Sequence, residues 1–311
     1  MAYAGSLDVK SFTSEQIEDF VSALGPPQRL DSETDRDWPT ISVVTPSYNQ
    51  GQFLERTIRS VLNQGYPALE YIIIDGGSTD GSADIIRKYG PQLAHWVTEK
   101  DDGQAHAIRK GFERATGKIV AWLNSDDVYL PGTLLRAGRA FMEAPGIDIL
   151  YGNRYLIDES DHVIGDRRLT PYIPYLSKCG LLYGGFGINQ PAAFWKKGLH
   201  DRVGGVDTSF RFAMDTDLIL RLALAGARFQ FLREYFTGFR IHPDSKTSTI
   251  RHVARQEGQI IRSRYCRHNS RLLTLASVTL LRSARAIIHL AQGDGFYLLK
   301  KKRQTNLAWV P

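Results

Sequence analysis

Cysteine is scarce in these 311 residues: Cys179 and Cys266 stand far apart, without metal-ligand spacing. That excludes a disulfide framework or a zinc knuckle and fits a reducing cytosol. No run of about 18 apolar residues occurs, so no membrane-spanning helix is expected. The first ten residues lack a basic segment followed by an apolar core, so no signal peptide is expected either. GxxxxGK[ST] is missing, which excludes a P-loop, and no GxGxxG follows the first strand, which argues against a dinucleotide site. There is no internal repeat and no low-complexity tract. What remains, 42% apolar and 23% charged residues, is ordinary soluble composition. The length suits one large α/β domain with appendages or two small domains.

Charge is unevenly spread. From Ile250 to Pro311 there are twelve Lys/Arg and two acids, Glu257 and Asp294, whereas Met1 to Pro39 has three basic and eight acidic residues. A basic tail on a near-neutral body suggests an anionic partner, nucleic acid or a membrane surface.

The N-terminal leader ends at Trp38-Pro39. Thr13-Ser14-Glu15-Gln16 reads as a capping box opening a helix to about Leu24, stopped by Gly25-Pro26-Pro27. Strands are then expected at Ile41 to Thr45, Tyr71 to Ile74, His95 to Thr98 and Ile119 to Leu123. Helices are expected at Phe53 to Leu62, Ser82 to Tyr89, Ala105 to Ala115 and from about Pro131. This alternation predicts an α/β fold with a mostly parallel, Rossmann-like sheet and helices on both faces. Past Ile147 the segments become Gly- and aromatic-rich, Tyr172 to Phe194, before a helix from about Asp215 to Ala225.

Three strands end in polar clusters: Thr45-Pro46-Ser47-Tyr48-Asn49, Asp75-Gly76-Gly77-Ser78-Thr79-Asp80-Gly81 and Asn124-Ser125-Asp126-Asp127. Each alone could be turn chemistry. On a parallel sheet all three lie along one edge, where α/β proteins bind ligands. Gly76 and Gly77 let the backbone approach a ligand and offer amides to an anion or a base edge. Two adjacent carboxylates repel, and a divalent cation would keep both ionised.

ISVVTPSYNQGQFLERTIRSVLNQGYPALEYIIIDGGSTDGS, EKDDGQAHAIRKGF and GKIVAWLNSDDVYLPG together resemble the family 2 glycosyltransferases, from about Pro39 to Thr249. The resemblance implies a GT-A fold, a nucleotide-sugar donor and inversion of configuration. It implies that Asp75 contacts the nucleobase, Thr45-Pro46 the base or ribose and Asp126 the ribose, with Ser47, Asn49, Gly76, Ser78 and Asn124 in the same nucleotide pocket. Asp127 becomes the metal ligand beneath the diphosphate, for Mn²⁺ or Mg²⁺, and Asp102-Gly103-Gln104 flanks the pocket. The chain carries Asp-Asp where a spaced Asp-x-Asp is also common. The catalytic base falls on Asp215, which would deprotonate an acceptor hydroxyl. Asp217 is the rival, or else a support of the helix N-terminus. Phe239 to Thr247 resembles a loop closing over the diphosphate, with Arg240 and Lys246 on the phosphate side and His242 at the phosphate or metal. Gln190 falls on the acceptor side.

The expected organisation is a leader (1–38), a GT-A catalytic domain (39–249) and a basic amphipathic helical extension (250–311). From Leu272 to Ala291 one side is apolar, while Arg271, Arg282, Arg285 and His289 gather on the other, and Lys300 to Arg303 follow. Such a helix lies on an anionic membrane or docks on the domain with its basic face in water. The reading is a metal-assisted, inverting transferase that uses a nucleotide sugar, UDP-linked by preference, and a saccharide or lipid-linked acceptor of cell-surface polysaccharide or glycolipid synthesis. It is expected in the cytoplasm, or peripherally on the inner face of the membrane. A sugar nucleotidyltransferase would want a Gly-rich, Arg/Lys-bearing loop where Pro46-Ser47-Tyr48 stands. A non-catalytic scaffold would not need Asp75, Asp127 and Asp215 together. A nucleic-acid binder would want more aromatics in the tail.

Overall fold

The computed structural model describes residues 12–22, 37–183, 187–246, 251–266 and 271–298, and every statement below concerns these. Along the chain run α1 (Ser14–Ser22), β1 (Ile41–Ser47), α2 (Gly51–Leu62), β2 (Leu69–Asp75), α3 (Ser82–Tyr89), β3 (His95–Thr98), α4 (Gln104–Arg114), β4 (Ile119–Trp122), β5 (Val128–Tyr129) and α5 (Thr133–Glu143). Then come β6 (Ile149–Ile157), β7 (Val163–Arg167), α6 (Leu176–Tyr183), β8 (Ala193–Lys196), α7 (Lys197–Arg202), α8 (Met214–Leu224), β9 (Phe229–Arg240), α9 (Arg251–Tyr265) and α10 (Arg271–Ala291).

One sheet holds all the strands, in the order β3-β2-β1-β4-β8-β6-β9-β5, with β7 paired to β6. Its first half is parallel throughout. The second half is mixed: β8 runs antiparallel to β4 and β6, while β9 runs parallel to β6. Strand periodicity builds a core on each face. Ile41, Val43, Tyr71, Ile73, Ile119 and Ala121 meet α2 and α5 on one side. Val44, Ile72, Ile74, Val120 and Trp122 meet α4 and α8 on the other. A Cβ on Gly111 would sit 2.3 Å from Val44 Cγ1, so α4 approaches β1 as only glycine allows.

Both flanking segments pack on this core. The capping box of α1 forms reciprocally: Thr13 N–H donates to Gln16 Oε1 (2.9 Å) and Gln16 N–H to Thr13 Oγ1 (3.2 Å). Its apolar side, Phe12, Ile17 and Val21, joins Val128, Tyr155 and Tyr235. At the other end Ile261 of α9 and Leu281 of α10 enter the core beneath α4 and α8.

The orientation of α10 corrects the sequence expectation. Val278, Leu281, His289 and the half-buried Arg285 face inward, and Arg282 lies at the cavity rim. Leu280, Ile287 and Leu290 face outward with Phe296 just beyond, each more than half exposed. The basic side is therefore the docked one: His289 pairs with buried Asp294 (3.2 Å), which also holds Arg168 and Arg233. Lys300 to Arg303 and the side chain of Arg271 lie outside the described residues.

Candidate active site

The polar ends of β1, β2 and β4 open onto one cavity of about 1360 Å³, whose wall includes Pro46, Ser47, Gly76, Gly77, Asp102, Gln104, Asn124 and Asp126. Gln190, Asp215 and Lys246 line the same cavity. Strand ends that converge along a sheet edge in this way are the usual ligand crevice of an α/β fold. Gln104 Nε2 donates to Asn124 Oδ1 (2.8 Å) and so ties the start of α4 to the end of β4.

Thr45, Asn49, Asp75 and Ser78 do not line the cavity: Thr45 and Asp75 are buried, Ser78 is half-buried and Asn49 is exposed beside it. Thr45 Oγ1 meets the Tyr71 hydroxyl at 3.0 Å. Asp75 is fully buried and spends its carboxylate on its own loop, accepting from Gly77 N–H (3.2 Å), Ser78 N–H (2.9 Å) and Ser78 Oγ (2.5 Å). Asn49 N–H donates to Ser78 Oγ at 2.8 Å, and Asn49 Oδ1 accepts from Thr79 N–H at 2.9 Å. These residues hold the shape that presents Gly76 and Gly77. A Cβ on Gly76 would meet Asp101 Oδ2 at 2.7 Å, so a side chain there would have to displace the Asp101 carboxylate.

The carboxylate pair after β4 is oriented otherwise than the sequence expectation of a ligand-facing Asp127. Asp126 lines the cavity, whereas Asp127 is 1% exposed and turned inward. Asp127 Oδ1 accepts the Arg240 N–H (3.0 Å), and Asn124 Nδ2 donates to its Oδ2 (3.4 Å). Burial, and next the charge of Asp126, push the Asp127 carboxyl well above the usual carboxylate range. His242 is also buried and reaches Asp126, with Nε2 at 3.1 Å from Oδ2 and its ring beside Phe53, so it orients that carboxylate instead of facing the cavity.

Arg240 likewise leaves the phosphate side. Its guanidinium is buried and donates to Asp126 O (2.8 Å), Asp158 O (2.7 Å) and Asp161 Oδ1 (2.5 Å) over the Phe53 ring. It is a strut that fixes the turn carrying Asp126. Arg240→Met is expected to destabilise the protein by about 3–5 kcal/mol, the cost of breaking a buried ion pair from one side. Urea unfolding measures this; a loss below about 1 kcal/mol would return Arg240 to the ligand-binding residues.

At the start of α8 the two acids separate clearly. Asp215 lines the cavity and accepts from Thr216 N–H (2.6 Å), and burial raises its pKa. Asp217 is fully buried on the opposite side, paired to Arg221 (2.6 Å) and accepting from Tyr265 OH (2.9 Å). It holds α8 to α9 and has no place at the acceptor. Gln190 stays on the wall, its Nε2 donating to Trp122 O at 2.7 Å, and Lys246 reaches Arg211 O at 3.3 Å. The cavity also holds Lys100 and Asp101 of the EKDDGQ segment, Arg282 and Arg285 from the basic side of α10, and Arg154 and Arg167, which no motif announced.

A hard divalent cation asks for one or two carboxylates, with substrate phosphates completing its shell. Among the described residues no three His, Cys, Asp or Glu side chains converge as a cage. The cavity-facing Asp126, oriented by His242, fits the carboxylate share of such a shell.

The model of the family described as Glycosyl transferase family 2 matches residues 42–203. An uncharacterized glycosyltransferase of Mycobacterium tuberculosis is 33% identical over 188 residues, 60% of this chain and 70% of that one. A Bacillus subtilis glycosyltransferase named for teichuronic acid biosynthesis, TuaG, is 43% identical over 108 residues, 34% of this chain and 43% of its own. Among solved structures, S. aureus TarS 1-349 in complex with UDP-GlcNAc superposes with TM-score 0.57 at 19% identity, covering 83% of this chain and 75% of that one. The mannosyltransferase PcManGT from Pyrobaculum calidifontis, in complex with GDP-Man and Mn²⁺, gives TM-score 0.54 at 19% identity over 94% and 88% of the two chains. The chain spans only 39% of a longer TarS structure. At such identities the likeness is one of fold.

Proposed function

The chain belongs to glycosyl transferase family 2 and has the GT-A fold, and on that premise we propose that it moves a sugar from a nucleotide-sugar donor, UDP-linked by preference, to an acceptor hydroxyl with inversion. The observation that carries the proposal is the meeting of three strand ends and Asp215 on one cavity. In this reading the nucleoside lies along Pro46, Ser47 and the Gly76-Gly77 backbone, with Asp102 and Gln104 at its flank. Lys100 and Lys246 face the diphosphate. Asp126 would hold Mn²⁺ or Mg²⁺, which when bound neutralises the departing diphosphate.

Asp215 takes the acceptor hydroxyl's proton while that oxygen attacks the anomeric carbon, and general-base help of this kind is worth about 10²–10⁴-fold. Burial raises its pKa, which makes the carboxylate a stronger base than a solvated one. Gln190 borders the acceptor. The name of TuaG supports cell-surface polysaccharide synthesis as the setting, and glycolipid synthesis uses the same chemistry. Incubation with a panel of nucleotide sugars and Mn²⁺ tests the reading. Release of nucleoside diphosphate and a product of inverted anomeric configuration by NMR are expected, and a retained configuration would overturn it. A sugar nucleotidyltransferase would instead consume a nucleoside triphosphate.

No described helix is long and apolar enough to cross a membrane. We assign peripheral attachment to the uncharged outer face of α10 (Leu280, Ile287, Leu290) with Phe296, which the basic run Lys300 to Arg303 follows in sequence. Apolar burial is insensitive to charge screening. The full chain is therefore expected to sediment with neutral as well as anionic vesicles, and to remain bound in high salt. Ile287→Asp with Leu290→Asp should release it while nucleotide affinity persists. Binding to anionic vesicles alone, abolished by salt, would restore the basic residues as the contact.

A further inference from the structure

Asp215 is the second residue of α8, so its place is set by the turn that enters the helix. Ala213 stands at the cap position of that turn, where Ser, Thr, Asp or Asn would offer a side-chain oxygen and Ala offers none. The oxygens come instead from α9, 44 residues after Ala213. Glu257 is 6% exposed; its Oε1 accepts the Arg211 N–H (2.6 Å), and its Oε2 accepts the N–H groups of Phe212 (2.9 Å) and Ala213 (2.7 Å). Three consecutive amides thus converge on one carboxylate, and bonds of this kind are about twice as strong as neutral ones. Arg211 and Phe212 line the cavity together with Asp215, whereas Glu257 is not among the lining residues.

Helix α9 is anchored at other points as well. Ile261 is buried in the core it shares with α8, Tyr265 OH donates to Asp217 Oδ1 (2.9 Å), and Arg264 pairs with Asp207 (2.7 Å) over the Phe210 ring. What Glu257 adds to these is the geometry of the turn before the base. Resting on the glycosyltransferase reading, we propose that Glu257 is a positioning residue for transfer. It fixes the amides of residues 211–213, and through them the first turn of α8 and the Asp215 carboxylate that faces the acceptor hydroxyl. The C-terminal extension in this way serves the reaction without touching substrate. A misplacement of about 1 Å can cost ~10²-fold in rate, so a loosened turn is felt in the chemical step.

The test uses the full chain and the nucleotide sugar that it turns over fastest. Glu257→Gln keeps the length of the side chain but leaves one oxygen and sets an NH₂ donor against amide donors. It should lower kcat by about tenfold or more, while the donor KM and the UDP affinity in Mn²⁺ stay within about twofold. Tyr265→Phe cuts another contact of α9 with α8 and should leave kcat level. In an Asp215→Asn background Glu257→Gln should cost nothing further, because no base is left to misplace. A purely structural glutamate would lower the rate by the same factor in both backgrounds. Amide hydrogen exchange reads the turn without any turnover. Glu257→Gln should speed exchange about tenfold or more at Arg211, Phe212, Ala213 and also Thr216, whose N–H is held by Asp215 Oδ1. If Glu257→Gln fails to fold, Glu257→Asp keeps the carboxylate one methylene short, and the same split between kcat and donor KM is expected of it. Normal kcat in Glu257→Gln, an equal loss in the Asp215→Asn background, or unchanged exchange at Thr216 would overturn the proposal. Absence of transfer by the wild type would count against the glycosyltransferase reading alone, and exchange at Thr216 then tests whether Glu257 holds the base in place.

Discussion

Asp215→Asn is expected to lower transfer by about 10²–10⁴-fold, the usual worth of a positioned base, with donor affinity unchanged. Asn keeps the Oδ1 that accepts from Thr216 N–H (2.6 Å), so α8 should start as before. The same substitution should stabilise the fold at neutral pH. Burial raises the folded-state pKa of Asp215 above its unfolded value. Its contribution to stability is thus whole below the unfolded pKa and is lost as pH rises through the folded one. At pH 7 the burial of this carboxyl is a cost that Asn removes. A variant that melts higher and transfers almost nothing is the expected pair of results. In the wild type, transfer should fall on the acid side as Asp215 protonates, at a pH above the ordinary carboxylate value.

Asp217→Asn should do the reverse. Loss of the buried pair with Arg221 costs about 3–5 kcal/mol, and the folded fraction should keep its rate. Steady-state kinetics and thermal melts of the two variants, read side by side, decide the matter. A normal rate for Asp215→Asn with a crippled Asp217→Asn would move the base.

The second large effect separates the neighbouring carboxylates after β4. Asp126→Asn should weaken Mn²⁺-dependent UDP binding by more than ~100-fold, beyond the 10–100-fold that loss of an outer-shell partner produces. Asp127→Asn should leave it near normal. The buried Asp127 disfavours its own charge, and an Asn Oδ1 can still accept the Arg240 N–H now held at 3.0 Å. Calorimetry of UDP with and without Mn²⁺ reads both variants. Loss of metal dependence in Asp127→Asn, with Asp126→Asn unaffected, would restore Asp127 as the ligand.

Much of this architecture is legible in the residues. β1 to β4 are short apolar runs separated by amphipathic helices, and that alternation has few competing interpretations. Ser82–Tyr89 and His95–Thr98 fall where periodicity places them, and the capping box of α1 closes as written. The second half was harder to read. β6 buries Asn153 and Arg154 amid apolar residues, and β9 pairs with it through two register shifts, so neither shows a clean period. Which of Asp126 and Asp127 faces the cavity depends on the turn after β4, since adjacent residues project differently and their types are identical.

Arg240 misled for a related reason. An Arg near a predicted diphosphate reads as its ligand, yet three carbonyl and carboxylate acceptors from distant segments meet it first. For α10 the two-faced pattern was evident, but its orientation was not. Arg285 turns inward onto the cavity wall while Arg282 stays exposed at its rim, and no local pattern records that wall.

The central claim, a nucleotide-sugar site across the ends of β1, β2 and β4, is tested most directly by thermal shift with nucleoside diphosphates and triphosphates in Mn²⁺. A ligand at 100 times its dissociation constant adds about 2.7 kcal/mol to the folded state. One nucleoside diphosphate, UDP in this account, should raise the melting temperature by several degrees in the wild type and much less in Asp126→Asn. No shift with any diphosphate, or a shift confined to triphosphates, would contradict it.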